Sequence, residues 1–164
     1  MEASSLSRDG IKVLLMGSSK YNCEELPPEI REIMNSFMQQ GATFLVAEAH
    51  GACRLFQGYL ASEGYGNVVV GHARSIRYNA GNWPDVKYGD NLKERERKMI
   101  DDCDYAIVIW QDESSVIAEN LEYLKKRGRP TYLYEYRGSD GRSKSGDLDP
   151  GRIYVKSHPY WNRK

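Results

Sequence analysis

The chain has little cysteine. Cys23, Cys53 and Cys103 are odd in number, widely spaced and without a C-x-x-C pair. That argues against a disulfide framework or a zinc knuckle, so no metal is expected, and a reducing cytosol fits best. The chain also lacks any apolar run approaching ~18 residues, so no membrane-crossing helix is expected. Its first residues, MEASSLSRDG, have no apolar signal-peptide core. Charge of one sign is missing too. With 23 basic and 23 acidic residues the formal net charge is zero, which removes a global field for nucleic acid or an anionic membrane and leaves only local basic clusters. Internal repeats are absent. What is plentiful is tyrosine, with twelve residues. Rings with polar tips suit a ligand cleft or an interface, and equally an ordinary half-buried surface. At 164 residues the chain is long enough for one domain with a real core.

After a flexible leader over residues 1–10, Ile11 to Met16 reads as a continuous buried strand ending at Gly17-Ser18-Ser19-Lys20. Pro27-Pro28 opens a helix reaching about Gln40, because proline in a first turn removes no helical hydrogen bond. Gly41 ends it. Thr43–Val46 reads as a second strand, Ala52–Glu63 as a helix with Leu55, Tyr59 and Leu60 inward, and Asn67–Val70 as a third strand. Residues 71–91 read as one long loop, rich in Gly, Asn, Arg and Tyr; loops of that length in a compact domain are usually functional or mobile. A charged helix over Leu92–Asp101 leads into the apolar run Tyr105–Trp110. The polar loop Gln111–Ser115, a helix closed by Gly128-Arg129-Pro130 and the β-rich run Thr131–Tyr134 complete a βαβ unit. Strands alternating with helices predict an α/β class, a Rossmann-like doubly wound parallel sheet of about five strands with flanking helices. The domain is expected over residues 11–136, with a polar linker and tail over 137–164. Ile153–Val155 is a candidate edge strand.

Five segments can carry chemistry. Gly17-Ser18-Ser19-Lys20 follows the first strand, where small residues let backbone N–H groups approach a phosphate and hydroxyls plus a lysine add donors. It matches neither G-x-x-x-x-G-K nor G-x-G-x-x-G, and a plain tight turn explains it equally well. Glu48-Ala49-His50-Gly51-Ala52-Cys53 follows the second strand. Gly51 permits close approach, and His50 can contact a ligand or exchange protons near neutrality; Cys53 lacks an adjacent base and reads as a small buried residue. The segment 74–83 holds Arg74, Arg77, Tyr78, Asn79, Asn82 and Trp83: forks for phosphate or carboxylate, rings for stacking, amides for reading a base edge. The alternative is a loop folded on its own aromatics. Lys93 to Lys98 alternates in sign and reads as a solvated helix face, with Arg95 or Arg97 the less expected contributors to a site. Trp110-Gln111-Asp112-Glu113-Ser114-Ser115 ends a central strand, and Ser114 or Ser115 can cap the next helix, which carries Glu119 and Asn120.

In order, these segments present Gly17-Ser18-Ser19, Gly51-Ala52, an R-x-N-x-G-x-W loop, Cys103-Asp104 before an apolar strand ending in Trp110, a serine-led helix and Gly128-Arg129-Pro130. The arrangement resembles the SLOG superfamily of Rossmann-like nucleotide-binding proteins over about residues 11–136. That group includes the Lonely-guy phosphoribohydrolases, the DprA-type DNA-processing proteins and nucleotide-sensor domains. The hydrolases carry P-G-G-x-G-T-x-x-E at the fourth strand. If Val116-Ile117 stands at the G-T position, Asn120 stands at the catalytic carboxylate, and an amide cannot shuttle a proton at neutral pH.

The resemblance implies a protein that binds a nucleotide or nucleotide-derived small molecule related to ADP-ribose or NAD, as a sensor or sequestering protein. The base would stack near Tyr78 or Trp83. Phosphate would meet Ser18, Ser19, Lys20, Arg74 or Arg77 and the helix after Ser115. No cofactor is implied, and a homodimer or higher homo-oligomer is. The alternative is a nucleoside 5'-monophosphate N-glycosidase or deoxyribosyltransferase-like enzyme, in which Glu119 or Glu48 would serve as the carboxylate. A nucleic-acid-processing role is disfavoured by the charge balance.

Overall fold

The computed structural model describes residues 10–21, 24–111, 115–136 and 153–154. In chain order the elements are β1 (Lys12–Gly17), α1 (Pro28–Gln39), β2 (Thr43–Ala47), α2 (Ala52–Ser62), β3 (Val68–His72), β4 (Asp85–Lys87), α3 (Leu92–Asp102), β5 (Tyr105–Gln111), α4 (Ser115–Lys126), β6 (Thr131–Tyr136) and β7 (Ile153–Tyr154). The strands form one sheet in the order β4-β3-β2-β1-β5-β6-β7. Pairings from β4 through β6 are parallel, and β7 joins β6 antiparallel.

Strand alternation sorts the apolar residues onto two faces. Val13 and Leu15 of β1 point to the side where Ile30, Met34 and Phe37 of α1 and Phe56 and Leu60 of α2 pack. Leu14 and Met16 point to the other side, against Met99 and Ile100 of α3 and Ile117, Leu121 and Leu124 of α4. A parallel sheet covered on both faces needs strands that are apolar throughout, and four consecutive residues of β1 and of β5 are buried. The first two crossovers lay β2 and β3 to one side of β1 over one helical layer. The chain then returns past β1 to place β5 on its other side, with the helices on the opposite face. This is the doubly wound α/β architecture that the sequence pattern predicts.

One detail differs from the sequence reading: the predicted long loop contains a strand, β4. With β7, which falls on the candidate edge strand 153–155, the sheet has seven strands. All three residues of β4 are exposed, so it carries no burial periodicity for a reader to find. The β3–β4 crossover contains no helix. Its residues 73–84 are anchored by the fully buried Gln57, whose amide donates to the carbonyls of Ala47 (3.0 Å) and Tyr78 (3.2 Å) and accepts from the N–H of Ala80 (2.8 Å). Among the described residues no helix is long and apolar enough to cross a membrane. The leader, most of the linker, the C-terminal tail and Cys23 lie outside the described residues.

Candidate functional site

The turn of the chain around β1 fixes where a site can form. β1 connects toward β2, while its other neighbour β5 connects toward β6, so the loops leaving β1 and β5 diverge at their carboxyl ends. Such a switch point opens a crevice. Here it is a cavity of about 920 Å³, floored by Leu14, Met16 and Met99, with the first turns of α2 and α4 and one side of α3 around it.

The loop after β1 is held from two sides. The Ser18 N–H donates to the carbonyl of Ile109 (3.0 Å), and the Ser18 hydroxyl accepts from the N–H of Gln111 (2.9 Å), so Ser18 ties the ends of β1 and β5 together under the cavity. On the other side the Ala52 N–H donates to the Ser18 carbonyl (3.2 Å). A Cβ on Gly17 would come within 2.5 Å of the Ala52 Cβ. One on Gly51, which sits at φ +73°, would come within 2.4 Å of the Ser19 carbonyl oxygen. The small residues read as a phosphate cradle therefore have an internal duty: they let this loop and the start of α2 meet. Ser19 and Lys20 beyond them are exposed and line the cavity.

A buried ionic network forms one wall. Glu48, just past β2, is 3% exposed and accepts from Arg95 Nη1 (2.7 Å), Arg77 Nε (2.7 Å) and Arg77 Nη2 (3.3 Å). Arg95, 2% exposed, continues from Nη2 to Glu96 (3.3 Å), and Glu96 in turn accepts from the Asn120 side-chain amide. Arg95 Nε is buried and makes no hydrogen bond among the described residues. Buried charges persist only when paired, and here one carboxylate carries two guanidinium groups.

The structure places the sequence candidates differently from one another. Gly17, Ser18, Ser19, Lys20, His50, Arg77, Ser115, Glu119 and Asn120 all line the cavity, with His50 exposed at its rim. Glu48 and Gly51 support its walls from behind. Tyr78, Asn79, Trp83 and Trp110 do not line it. The Trp83 indole is in the core at 8% exposure and donates to the Tyr65 carbonyl (2.9 Å), while the Asn79 side chain brackets the Trp83 backbone at 2.9 and 3.0 Å. That loop is folded on its own aromatic residue, which leaves neither group free to stack on or read a base. The Tyr78 ring lies under the Arg54 guanidinium at 4.4 Å, and Trp110 packs at the edge of the second core. Arg74 lies in an adjoining groove. Ser114, with Asp112 and Glu113, lies outside the described residues. The reading that made residues 93–98 a solvated face kept Arg95 and Arg97 as its less expected contributors to a site; Arg95 is buried, four residues before Met99 on the inward stripe of α3, and Arg97 also lines the cavity. Glu119 and Asn120 are about 100° apart on an ideal helix, yet both reach the wide cavity.

Cys53 lines the cavity but is buried, which opposes a thiolate there. Burial, reinforced by the Glu96 charge, pushes its thiol up to about 11 from an ordinary 9.0. Burial likewise pushes Cys103 up to about 12. A thiol with a raised folded pKa keeps its proton where the unfolded chain has lost it. The associated stability is therefore complete below about pH 9 and is lost as pH rises toward 11 or 12. Urea midpoints are expected to decline above pH 9. Peptide-resolved mass spectrometry is expected to find Cys53 unmodified by iodoacetamide in the native protein at pH 8, and ready alkylation there would contradict the burial argument.

Among the described residues no group of three or more His, Cys, Asp or Glu is placed to hold a metal ion. Comparison with protein-family models, with curated proteins and with solved structures finds no match for this chain.

Proposed function

We propose that the protein binds a nucleotide or nucleotide-derived small molecule, related to ADP-ribose or NAD, as a sensor or sequestering protein of the SLOG type. The observation that carries this reading is the cavity at the β1/β5 switch point. Its volume suits a small organic ligand, and the first turns of two helices converge on it with Lys20, Lys93, Arg77 and Arg97 nearby. Anionic groups are favoured by that surround. With Trp83 committed to the core, the base would rest instead against Leu92 and Val116, which are 56% and 61% exposed and flank the opening. Binding is favoured over turnover because Glu48 has both oxygens bonded to arginines and Asn120 is an amide.

Glu119 supports the second reading, an N-glycosidase or deoxyribosyltransferase-like enzyme. It lines the cavity, is exposed, and makes no hydrogen bond or ion pair among the described residues. Thermal unfolding with a panel of nucleotides, NAD, ADP-ribose and cyclic ADP-ribose, followed by mass analysis of the recovered ligand, separates the two. A ligand at ~100 times its Kd adds about 2.7 kcal/mol, which for a chain of this size raises Tm by roughly 5–10 °C. Recovery of intact ligand, with the shift abolished in Arg77→Ala, supports binding. Recovery of free base and sugar phosphate, lost in Glu119→Gln, supports the enzyme. No shift with any member of the panel would end both.

A further inference from the structure

Leu92 and Val116, at the mouth of the cavity, are each followed four residues later by a polar residue that also lines it: Glu96 on α3 and Asn120 on α4. α3 and α4 cover the same face of the sheet and connect strands that are all parallel, so both helices run inward from the cavity in the same direction. Four residues of helix span ~6 Å. Glu96 and Asn120 therefore stand one turn below the apolar pair, and the hydrogen bond that the Asn120 amide donates to Glu96 brings them to the same depth. We propose that these two side chains form an acceptor subsite that takes a pair of adjacent hydrogen-bond donors on the ligand. The inference rests on the nucleotide reading of the cavity and adds to it a contact that selects the ligand by its uncharged part.

The argument begins with Asn120. A carboxylate only accepts, so the atom that Asn120 turns to Glu96 is Nδ2, and the amide is not free to turn over. Its Oδ1 is then directed away from Glu96 and has no partner among the described residues, on a side chain only 5% exposed. Polar atoms on side chains so nearly enclosed are as a rule paired. Glu96 is held just as firmly, through Oε1 by Asn120 and through Oε2 by Nη2 of the buried Arg95 (3.3 Å). Each carboxylate oxygen has a second acceptor position, and the Glu96 side chain keeps 22% exposure on the wall of the cavity. A tie between α3 and α4 needs one donor and one acceptor. This pair leaves acceptors over, fixed in direction from both sides.

Such a subsite refuses a phosphoryl group, whose oxygens would face oxygens. It suits two donors side by side. A nucleotide offers that chemistry in two places: the 2'- and 3'-hydroxyls of ribose, and a ring edge where an N–H stands beside an amino group, as in guanine. A ring resting between Leu92 and Val116 has its own edge and its attached sugar within about a helical turn of the acceptors. An analogue that lacks one of the two donors leaves an acceptor of the pair unsatisfied. Because hydrogen bonds to a charged group are involved, the expected penalty is ~10-fold or more in affinity.

Calorimetric titration of the full chain tests the proposal with two pairs of ligands. AMP against 2'-deoxy-AMP removes one donor of the sugar, and GMP against IMP removes the amino donor of the ring edge. Wild type is compared with Glu96→Gln, with Asn120→Leu, which deletes Oδ1 and keeps the carboxylate, and with Glu122→Gln. Glu122 is exposed on α4 outside the cavity, so its variant removes the same charge elsewhere. The expected result is a preference of ~10-fold or more within at least one pair for wild type and Glu122→Gln, reduced to within ~3-fold in Glu96→Gln and in Asn120→Leu. The pair that shows it identifies the donors as sugar hydroxyls or ring N–H groups. A helix tie with no part in recognition would lower Tm in the variants and leave these ratios unchanged. Wild-type binding of all four nucleotides with both ratios within ~3-fold overturns the subsite and leaves the nucleotide reading standing. A preference that survives in both Glu96→Gln and Asn120→Leu overturns the placement. Failure of all four to bind wild type removes the nucleotide reading for these bases and the subsite with it.

Discussion

Glu48→Ala is expected to lower stability by about 3–5 kcal/mol, far more than a surface carboxylate would. The reason is what remains behind. Arg95 is 2% exposed and would keep only Glu96 as a partner, with Nε already lacking one. An uncompensated guanidinium in that position cannot reach water without dislodging α3 from the sheet. Arg77 behaves differently, because its side chain is 48% exposed and can turn to solvent. Arg77→Ala is accordingly expected to change stability by about 0–1 kcal/mol, in line with other half-exposed ion pairs. The double variant Glu48→Ala/Arg95→Met should recover much of the loss, since it removes both buried charges together. Urea unfolding of the three variants measures this, and calorimetry should show Tm for Glu48→Ala down by roughly 10–15 °C. A loss below ~1 kcal/mol, or a double variant no better than the single, would mean that the network is not the wall it is described to be.

Gly51→Ala is the second large effect. At φ +73° and ψ −129° the backbone is in a region open to glycine and unfavourable to any residue with a Cβ. The added methyl would also press to within 2.4 Å of the Ser19 carbonyl oxygen and 2.6 Å of the Ser18 carbonyl oxygen. Strain and overlap together are expected to cost about 3 kcal/mol or more. The displacement would propagate to Ser18, whose hydroxyl joins the end of β5, so any ligand-dependent rise in Tm should vanish as well. Gly58→Ala is the natural contrast. Gly58 lies inside α2 with nothing within 4 Å of where a Cβ would stand, and alanine there should stabilise by about 0.5–1 kcal/mol through helix propensity. Comparable losses in both variants would show that the close packing of loop and helix is not the determinant.

The fold was legible where the signal is local. The unbroken apolar run from Val13 to Met16, the Pro27-Pro28 helix start and the 105–134 βαβ unit each declare themselves within a short window. β4 did not, because its three residues are all exposed and pair with β3 through backbone hydrogen bonds and the Asp85–His72 contact, which leave no burial pattern in the sequence. Gly17 and Gly51 were singled out as places where a ligand could come close to the backbone. What approaches them is another stretch of the same chain, and that depends on two loops far apart in sequence. Trp83 shows the same limit from the other side. An aromatic in a polar loop looks ligand-facing until its partners, Tyr65 and Asn79, are seen to enclose it. Arg95 was readable in principle from its place on the inward stripe of α3. Its charge argued for solvent, and Glu48, the residue that reverses that argument, stands 47 positions away.

The short, charged β4 has a bearing on how copies of the chain can meet. A free sheet border is a template on which another strand can polymerise, and long apolar borders invite it. Here the border beyond β3 is only Asp85–Lys87, with Asp85 ion-paired to His72 (3.1 Å) and Lys87 to Asp90 (3.2 Å). Three residues with a carboxylate and an ammonium among them offer an incoming strand few bonds and an unfavourable desolvation. On this flank the sheet is guarded against recruiting neighbours, so cross-β growth from β4 is disfavoured.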